Sequence, residues 1–538
     1  MVNSQTDKSG KRSSAVNRRT VLSSLSAIGV TSIAGCSAED PDNTDSTADN
    51  HLEFAVEDTI ESLNPMLNAS VSGYAACSQL YSSLVIIGPE GELYGDLATD
   101  WDSSEDATEW TFQLNEDATW HHSGDPVTAT DVEATFEKVN DPDTGSPGIE
   151  VISNIEEIEA TDQFEFSITL SEGDADVAAK TNNQWLRIMP QEVVEDDELF
   201  NDAATEDFGS GPFELNEFQR GNFSTYDRFE DYHLTDDDGN QLPYVDELTM
   251  HVYPEESTMR AEMQGDLDLL TIGYPASVFE DLRDEPGIVD VEAPSGLCYP
   301  LLMNPNSEPF DDRRVRHAIK HAVDKTAVLE VAGRGLGTLG KDNFVSPAHR
   351  FYADLDDPFG PESQPEEAEA LLEEAGYEDG LEIPMPLQTP SDFGAPIRPT
   401  AVVIQDNCAE VGIDIEIEEV STDFWLSNVE GDGDFYMGLY SFRPIEDEIL
   451  RQVLHSDGPW SYGFANEDFD TAIDQARVTP DESERLELYT EAQEIAQMNA
   501  GMIVPYFSDS LGLHKERVIN YEEHPSDLKL DIQEVQLE

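Results

Sequence analysis

Bases are scarce in this chain of 538 residues: 28 Lys and Arg stand against 115 Asp and Glu, only nine of the bases are Lys, and the formal net charge is −87. A surface this acidic repels phosphate backbones and excludes nucleic acid as a partner. In dilute salt such a charge would strain a compact fold by self-repulsion, whereas at about 1 M salt the Debye length falls to about 3 Å and the repulsion is screened. The composition therefore points to a halophile, an archaeal one. It does not point to a disordered polyacid, because the acids are interspersed among regular apolar patterns, and 38% hydrophobic residues with 6 Trp, 17 Tyr and 23 Phe supply cores for two or more domains.

Cysteine is almost as rare. Cys36, Cys77, Cys298 and Cys408 are isolated, without CxxC spacing, which excludes a cysteine zinc site and a disulfide framework. Cys77 and Cys408 read as small buried hydrophobes. No G-x-S-x-G elbow, HExxH helix or Walker A sequence occurs, so the strongest local signatures of hydrolase, zinc protease and ATPase are missing. Gly335, Gly337 and Gly340 spell G-x-G-x-x-G, but they follow a helical pattern where a nucleotide fold needs a strand, and they read as a loop. DDDGN at 236–240 would put Leu234 and Val245 at the first and twelfth positions of a calcium loop, so it reads as an acidic hairpin turn. His121 and His122 are neighbours in an extended stretch and point to opposite faces, which disfavours a shared metal. The prediction is an absence of metal, cofactor and catalytic residues.

Long apolar runs are lacking as well. Near the start fifteen uncharged residues run from Val21 to Gly35, too short and too rich in Ser, Ala and Gly for a firm membrane span. It follows Lys8, Lys11, Arg12, Arg18 and Arg19, the layout of an export signal. The pair Arg18-Arg19 in NRRTVL resembles the twin-arginine signal, and IAGC at 33–36 resembles a lipobox in which Cys36 would become the lipid-bearing first residue of the mature chain. Residues 1–35 are thus expected to be a signal and residues 36–51, polar and aperiodic, a flexible acidic tether.

What is present beyond the tether is an alternation of strands and helices. Short strands separated by Asp, Gly and Pro dominate from Glu92 to Leu170, with a capped helix in DPVTATDVEATFEKV. DRRVRHAIKHAVDKTAVLEVAG at 312–333 predicts one amphipathic helix ended by Gly333, and PEEAEALLEEAGY another, with Pro in its first turn and Gly near its end. IDIEIEEV and DFYMGLYSF read as strands, TDFWLSNVEG as a helix, two helices follow, and MIVPYFSDSLGLHK returns as strands. The class is α/β with a strand-rich insert.

The order of these segments resembles the family 5 extracellular solute-binding proteins, the dipeptide- and oligopeptide-binding components of ABC importers. The similarity runs over nearly the whole chain from Leu52. It rests on ESLNPML, LATDW with WTFQLNEDATWHHSGDPVTATDVEATFE, GSGPFEL, EPFDDRRVRHAIKHAVDKTAVLEVAGRG, PEEAEALLEEAGYEDG, EVGIDIEIEEV and GDGDFYMGLYSF. The resemblance implies a two-lobe periplasmic-binding-protein fold, class II-like, with an extra strand-rich subdomain inserted in lobe I. Mapped here, lobe I is about 52–297 with the insert at about 92–207, lobe II is about 298–504, and 505–538 returns to lobe I. Hinges would lie near Leu297–Asn304 and Ile503–Phe507.

It also implies a monomer, tethered to the outer face of the cytoplasmic membrane, that captures a small solute by lobe closure and hands it to membrane permease subunits. Peptide is the leading ligand class. Oligosaccharide, a nickel complex or a small anion are alternatives, and a secreted hydrolase or a sensory adaptor are alternatives of role. Ligand contacts in the family cluster near the lobe junction and just after the strand written here DFYMGLYSF, where peptide binders place an Asp that pairs with the peptide's amino terminus. This chain has Phe442-Arg443-Pro444 there, with Glu446 and Asp447 beyond. A cleft-facing Arg443 would favour an anion; Glu446 or Asp447 in a shifted register would keep peptide. Tyr74, Trp425, Tyr440, Phe442 and Trp460 are expected as apolar walls, with Tyr299 and Asn304 near the hinge.

Overall fold

The computed structural model describes residues 50–236, 238–388, 396–526 and 528–538. Arg18, Arg19 and Cys36 lie outside the described residues.

The central strand His51–Val56 buries Leu52, Phe54 and Val56, the alternate positions of its pleat. It runs parallel to Glu247–Val252 on one side and to Leu269–Leu270 on the other. Antiparallel Phe223–Arg228 and Phe213–Gln219 extend one edge; Ser510–Lys515 and Ile288–Ala293 extend the other, giving seven strands. A C-terminal strand thus joins a sheet that is otherwise built from residues 51–293. A separate four-stranded antiparallel sheet takes Ala98–Ser103, Glu109–Leu114, Glu165–Leu170 and Ile155–Asp162 in that order. Trp110, Phe112, Leu114, Phe166 and Ile168 form its buried face, against the helix Ala129–Asn140, which a reciprocal Thr128–Asp131 box caps.

The second half of the chain has its own sheet. Leu301–Met303 lies between Phe435–Met437 and Met502–Ile503, and all three strands are buried throughout, the signature of a sheet covered on both faces. Beside it Leu381–Gln388 and Ile413–Val420 run parallel, connected through the helix Ile397–Glu410. The main hydrophobic cores divide accordingly: one uses residues 52–272 and 518–535, two others use residues 299–506 and 298–507.

Two segments differ from their sequence patterns. The helix expected over 312–333 is two helices, Arg313–Ala322 and Lys325–Val331. Asp324 breaks it: its side chain accepts from the Ala327 amide at 2.8 Å as an N-cap, while Val323 is extended. The strand expected over DFYMGLYSF pairs regularly only at Phe435–Met437 and resumes as a single bridge between Tyr440 and Cys298. Opposite Gly438 stands Pro300, whose carbonyl accepts at 2.8 Å but which has no N–H to return.

Most of the smaller readings fit the structure. Cys77, Cys298 and Cys408 are free and buried. Thr235 and Gln241, which flank the acidic segment, form an antiparallel bridge. His121 bonds Asp207 and the Gly211 carbonyl, while His122 turns to Glu192 and Phe208. The loop expected over 335–340 holds only in part: Gly335 lies in a turn after the helix, but Gly337–Leu339 is a short strand on Tyr506–Ser508.

Candidate functional site

The chain passes between the two sets of cores twice, through 293–301 and 503–510. Cys298 pairs with Tyr440 on one side and with Phe507 on the other, so three segments of distant sequence lie side by side there. Gly296 is required at this point: a Cβ on it would fall 2.3 Å from Cδ2 of Phe442 and 3.0 Å from Cε1 of His349.

An aromatic wall follows. Phe442 meets His349 edge-on at 5.0 Å, and Tyr440 meets Phe344 at 5.2 Å. Trp425, on the helix Thr422–Asn428, packs edge-on against Tyr436 at 6.2 Å. Burial pushes the His349 imidazole down to about 4, which keeps it neutral, and its Nδ1 accepts from the Ser346 amide at 3.0 Å.

The charged residues after the strand are engaged. Arg443 lies over the Trp460 ring at 5.1 Å and donates to Gln452. Glu446 opens the helix Glu446–Val453, accepts from the Phe351 amide at 2.7 Å, and is pushed up to about 7 by burial. Burial also raises Asp447, which stands 3.4 Å from Arg451 one turn on.

The remaining residues named from sequence stand elsewhere. Tyr299 is buried near Tyr506, with centroids 6.3 Å apart. Asn304 shapes a turn, its Oδ1 accepting from Asn306 at 3.0 Å and pressed against Gly463. Tyr74, on the helix Val71–Leu80, packs edge-on to Trp185 at 5.9 Å. Phe442, Tyr440, Arg443 and Trp460 are therefore brought to one region, and Tyr74 and Asn304 to others.

Sequence reasoning missed His349, Phe344 and Asp509. Asp509 lies on the second crossing segment, two residues past Phe507. One of its carboxylate oxygens is enclosed without a hydrogen-bond partner, and burial, with help from Glu292, pushes the group up to about 6. Only its position beside a chain crossing could have drawn attention to it.

Among the described residues, no group of three His, Cys, Asp or Glu is placed to hold a metal, and no helix is long and apolar enough to cross a membrane.

Residues 92–461 match the family model described as bacterial extracellular solute-binding proteins, family 5 middle. The chain is 27% identical over 497 residues to the dipeptide-binding protein of Escherichia coli (strain K12), covering 84% of this chain and 88% of that one. It is 23% identical over 513 residues to heme-binding protein A of Haemophilus influenzae, covering 89% and 91%. The solved structure of MppA, a periplasmic murein tripeptide binding protein in its unliganded open form, superposes with a TM-score of 0.80 at 21% identity, covering 91% of this chain and 98% of that one. The fold is thus the mixed α/β periplasmic-binding-protein fold with extra antiparallel sheets. The chain belongs to the family 5 extracellular solute-binding proteins, and is the non-enzymatic, extracytoplasmic component that binds a small solute for an ABC transporter.

Proposed function

We propose that the solute is a short peptide, held between two lobes that close on it. The observation that carries this reading is the similarity to a dipeptide-binding protein over most of both chains. The chemistry near the crossings supports it. Arg443 is held by Trp460 and Gln452, neutral partners that fix where its guanidinium lies and leave its charge in place. Glu446 accepts from the Phe351 amide, and Asp447, whose Oδ1 has no hydrogen bond, faces the Arg451 guanidinium at 3.4 Å, so neither stands as an unpaired carboxylate in a shifted register. Asp509 does offer one oxygen, and we assign it the peptide's amino terminus. Continuing the antiparallel pairing two residues beyond Tyr440, Cys298 and Phe507 puts Phe442, Gly296 and Asp509 in one cross-strand row, so an ammonium at Asp509 would meet an aromatic ring nearby.

The same reading takes 52–297 with 505–538 as lobe I, 298–504 as lobe II, and the two crossings as hinges. It takes residues 1–35 as a twin-arginine signal and Cys36 as the lipid anchor of a monomer serving a membrane permease, on a halophilic archaeal cell.

The test is retention. Protein stripped of solute is offered, in about 2 M salt, an equimolar mixture of di- to pentapeptides, their N-acetyl forms, oligosaccharides, nickel–histidine and small dicarboxylates, and the retained species are identified by mass spectrometry. Free-amine peptides are expected, with Asp509→Asn losing the preference over the N-acetyl forms. Retention of only sugar, metal complex or dicarboxylate would overturn the peptide reading.

A further inference from the structure

Away from the aromatic wall, the segment 172–180 of the first half meets the helices of 446–489 across a contact unlike the rest of the molecule. Its apolar part is small: Ile87, Ala179 and Ile445 form a cluster of their own, detached from the main cores. Its polar part is large and buried. Arg485 Nη2 donates to Asp176 Oδ1 at 2.6 Å, with the two side chains 3% and 6% exposed, and the guanidinium rests 4.7 Å from the Phe351 ring centre. The Ala175 amide donates to the Arg477 carbonyl at 2.7 Å, and the Arg477 guanidinium lies 3.2 Å from Glu172 and 3.7 Å from Asp174. Asp174 also holds Lys180, and behind the contact Asp447 faces Arg451.

This contact does not satisfy itself. Of the nineteen buried side-chain polar atoms without a hydrogen-bond partner among the described residues, three are here, Asp176 Oδ2 and the Nε atoms of Arg477 and Arg485, while Asp447 Oδ1 and Arg451 Nε face each other at 3.4 Å on one helix behind it. A buried charge pair returns its desolvation cost only when its remaining donors and acceptors are also met. In a permanent core such groups are paired or replaced by apolar ones. Here separation of the two surfaces would hydrate all three at the loss of few apolar contacts, so parting them costs little and closing them is specific to one register.

We propose that this surface is a separable electrostatic latch, with Arg485–Asp176 as its bolt, that is made when the two halves close and broken when they open. The inference rests on the lobe-closure reading above and adds to it a named contact outside the ligand site.

Hydrogen–deuterium exchange of the mature chain in about 2 M salt tests it without knowledge of the ligand. In Arg485→Met and in Asp176→Asn, amides of 172–181 and 445–455 are expected to exchange about ten-fold faster than in the parent, with the melting temperature and the exchange of the core strands unchanged. The double variant should match either single one, since both break the same bond. Unchanged exchange in these two segments would overturn the latch, as would faster exchange spread over the whole chain, which marks ordinary core packing. Adding the dipeptide Ala-Phe separates the two readings. Protection of both segments in the parent supports closure; no protection anywhere contradicts the dipeptide reading, while exchange in the two variants still decides for or against the latch.

Discussion

Two clusters of buried charge differ in how completely they are answered. In the second half, Lys325 lies 2.9 Å from Asp357 and 3.1 Å from Asp342, and its ammonium also donates to the Gly340 carbonyl at 3.3 Å. Lys320 donates to the Gln497 carbonyl at 2.7 Å over the Phe359 ring, and Asp342 Oδ1 also accepts from the Val504 amide. One oxygen there, Asp342 Oδ2, has no hydrogen bond. At the contact between the halves, Asp176, Arg477 and Arg485 leave three such atoms. The first cluster ties loops and helices of one body together. The second joins surfaces that gain hydration when they part. Buried charge is thus structural glue where nearly every donor and acceptor is met, and a release mechanism where several are not.

The comparison breaks most visibly in stability. Lys325→Met leaves Asp357 without its cation and Asp342 with only Lys320 at 3.8 Å, and should cost about 3–5 kcal/mol in urea unfolding at constant high salt. Arg485→Met should leave global stability unchanged, because the halves can part and hydrate Asp176. Equal losses would show that the two clusters are alike.

Glu446 sharpens the picture through pH. Its carboxyl is raised from 4.5 to about 7 in the folded chain, so the folded state holds a proton that the unfolded state has released. Stability should therefore fall as pH rises from about 4.5 to about 7 and level off above. Glu446→Gln, which still accepts from the Phe351 amide, should reduce that slope, to which the buried Asp447 and Glu448 also contribute, and gain roughly 1–3 kcal/mol at pH 8. A parent whose unfolding midpoint is flat over this window would count against the burial of that carboxyl.

Two smaller effects calibrate the scale. Asp324→Ala removes the cap that divides 313–331 into two helices, and should cost about 1 kcal/mol in the same urea titration. Arg260→Ala breaks surface pairs with Glu256 and Asp281, at 2.9 and 2.8 Å, and in high salt should change stability by less than about 0.5 kcal/mol.

Most of the architecture was legible because it is local. The Thr128–Asp131 cap, the Pro-led helix Pro365–Ala375 and the alternating strands of the insert are each written within a dozen residues. The break at Asp324 was written too, but a strong apolar period masked a capping residue. The site was less legible, because it is assembled by crossings. Tyr440, Cys298 and Phe507 become neighbours only through the sheet, and Asp176 and Arg485 meet across 309 positions. Nothing in the spacing of Asp509 or His349 marks them. Their meaning comes from burial without partners, and burial is a tertiary property.

The most direct test of the central claim, capture without chemistry, is a cycle of release and rebinding. Solute is extracted from protein purified in high salt, identified, returned to the stripped protein in a calorimeter, and extracted again. One molecule per chain, recovered with its mass unchanged, is the predicted result; a cleaved or modified product, or no stoichiometric rebinding, would contradict it.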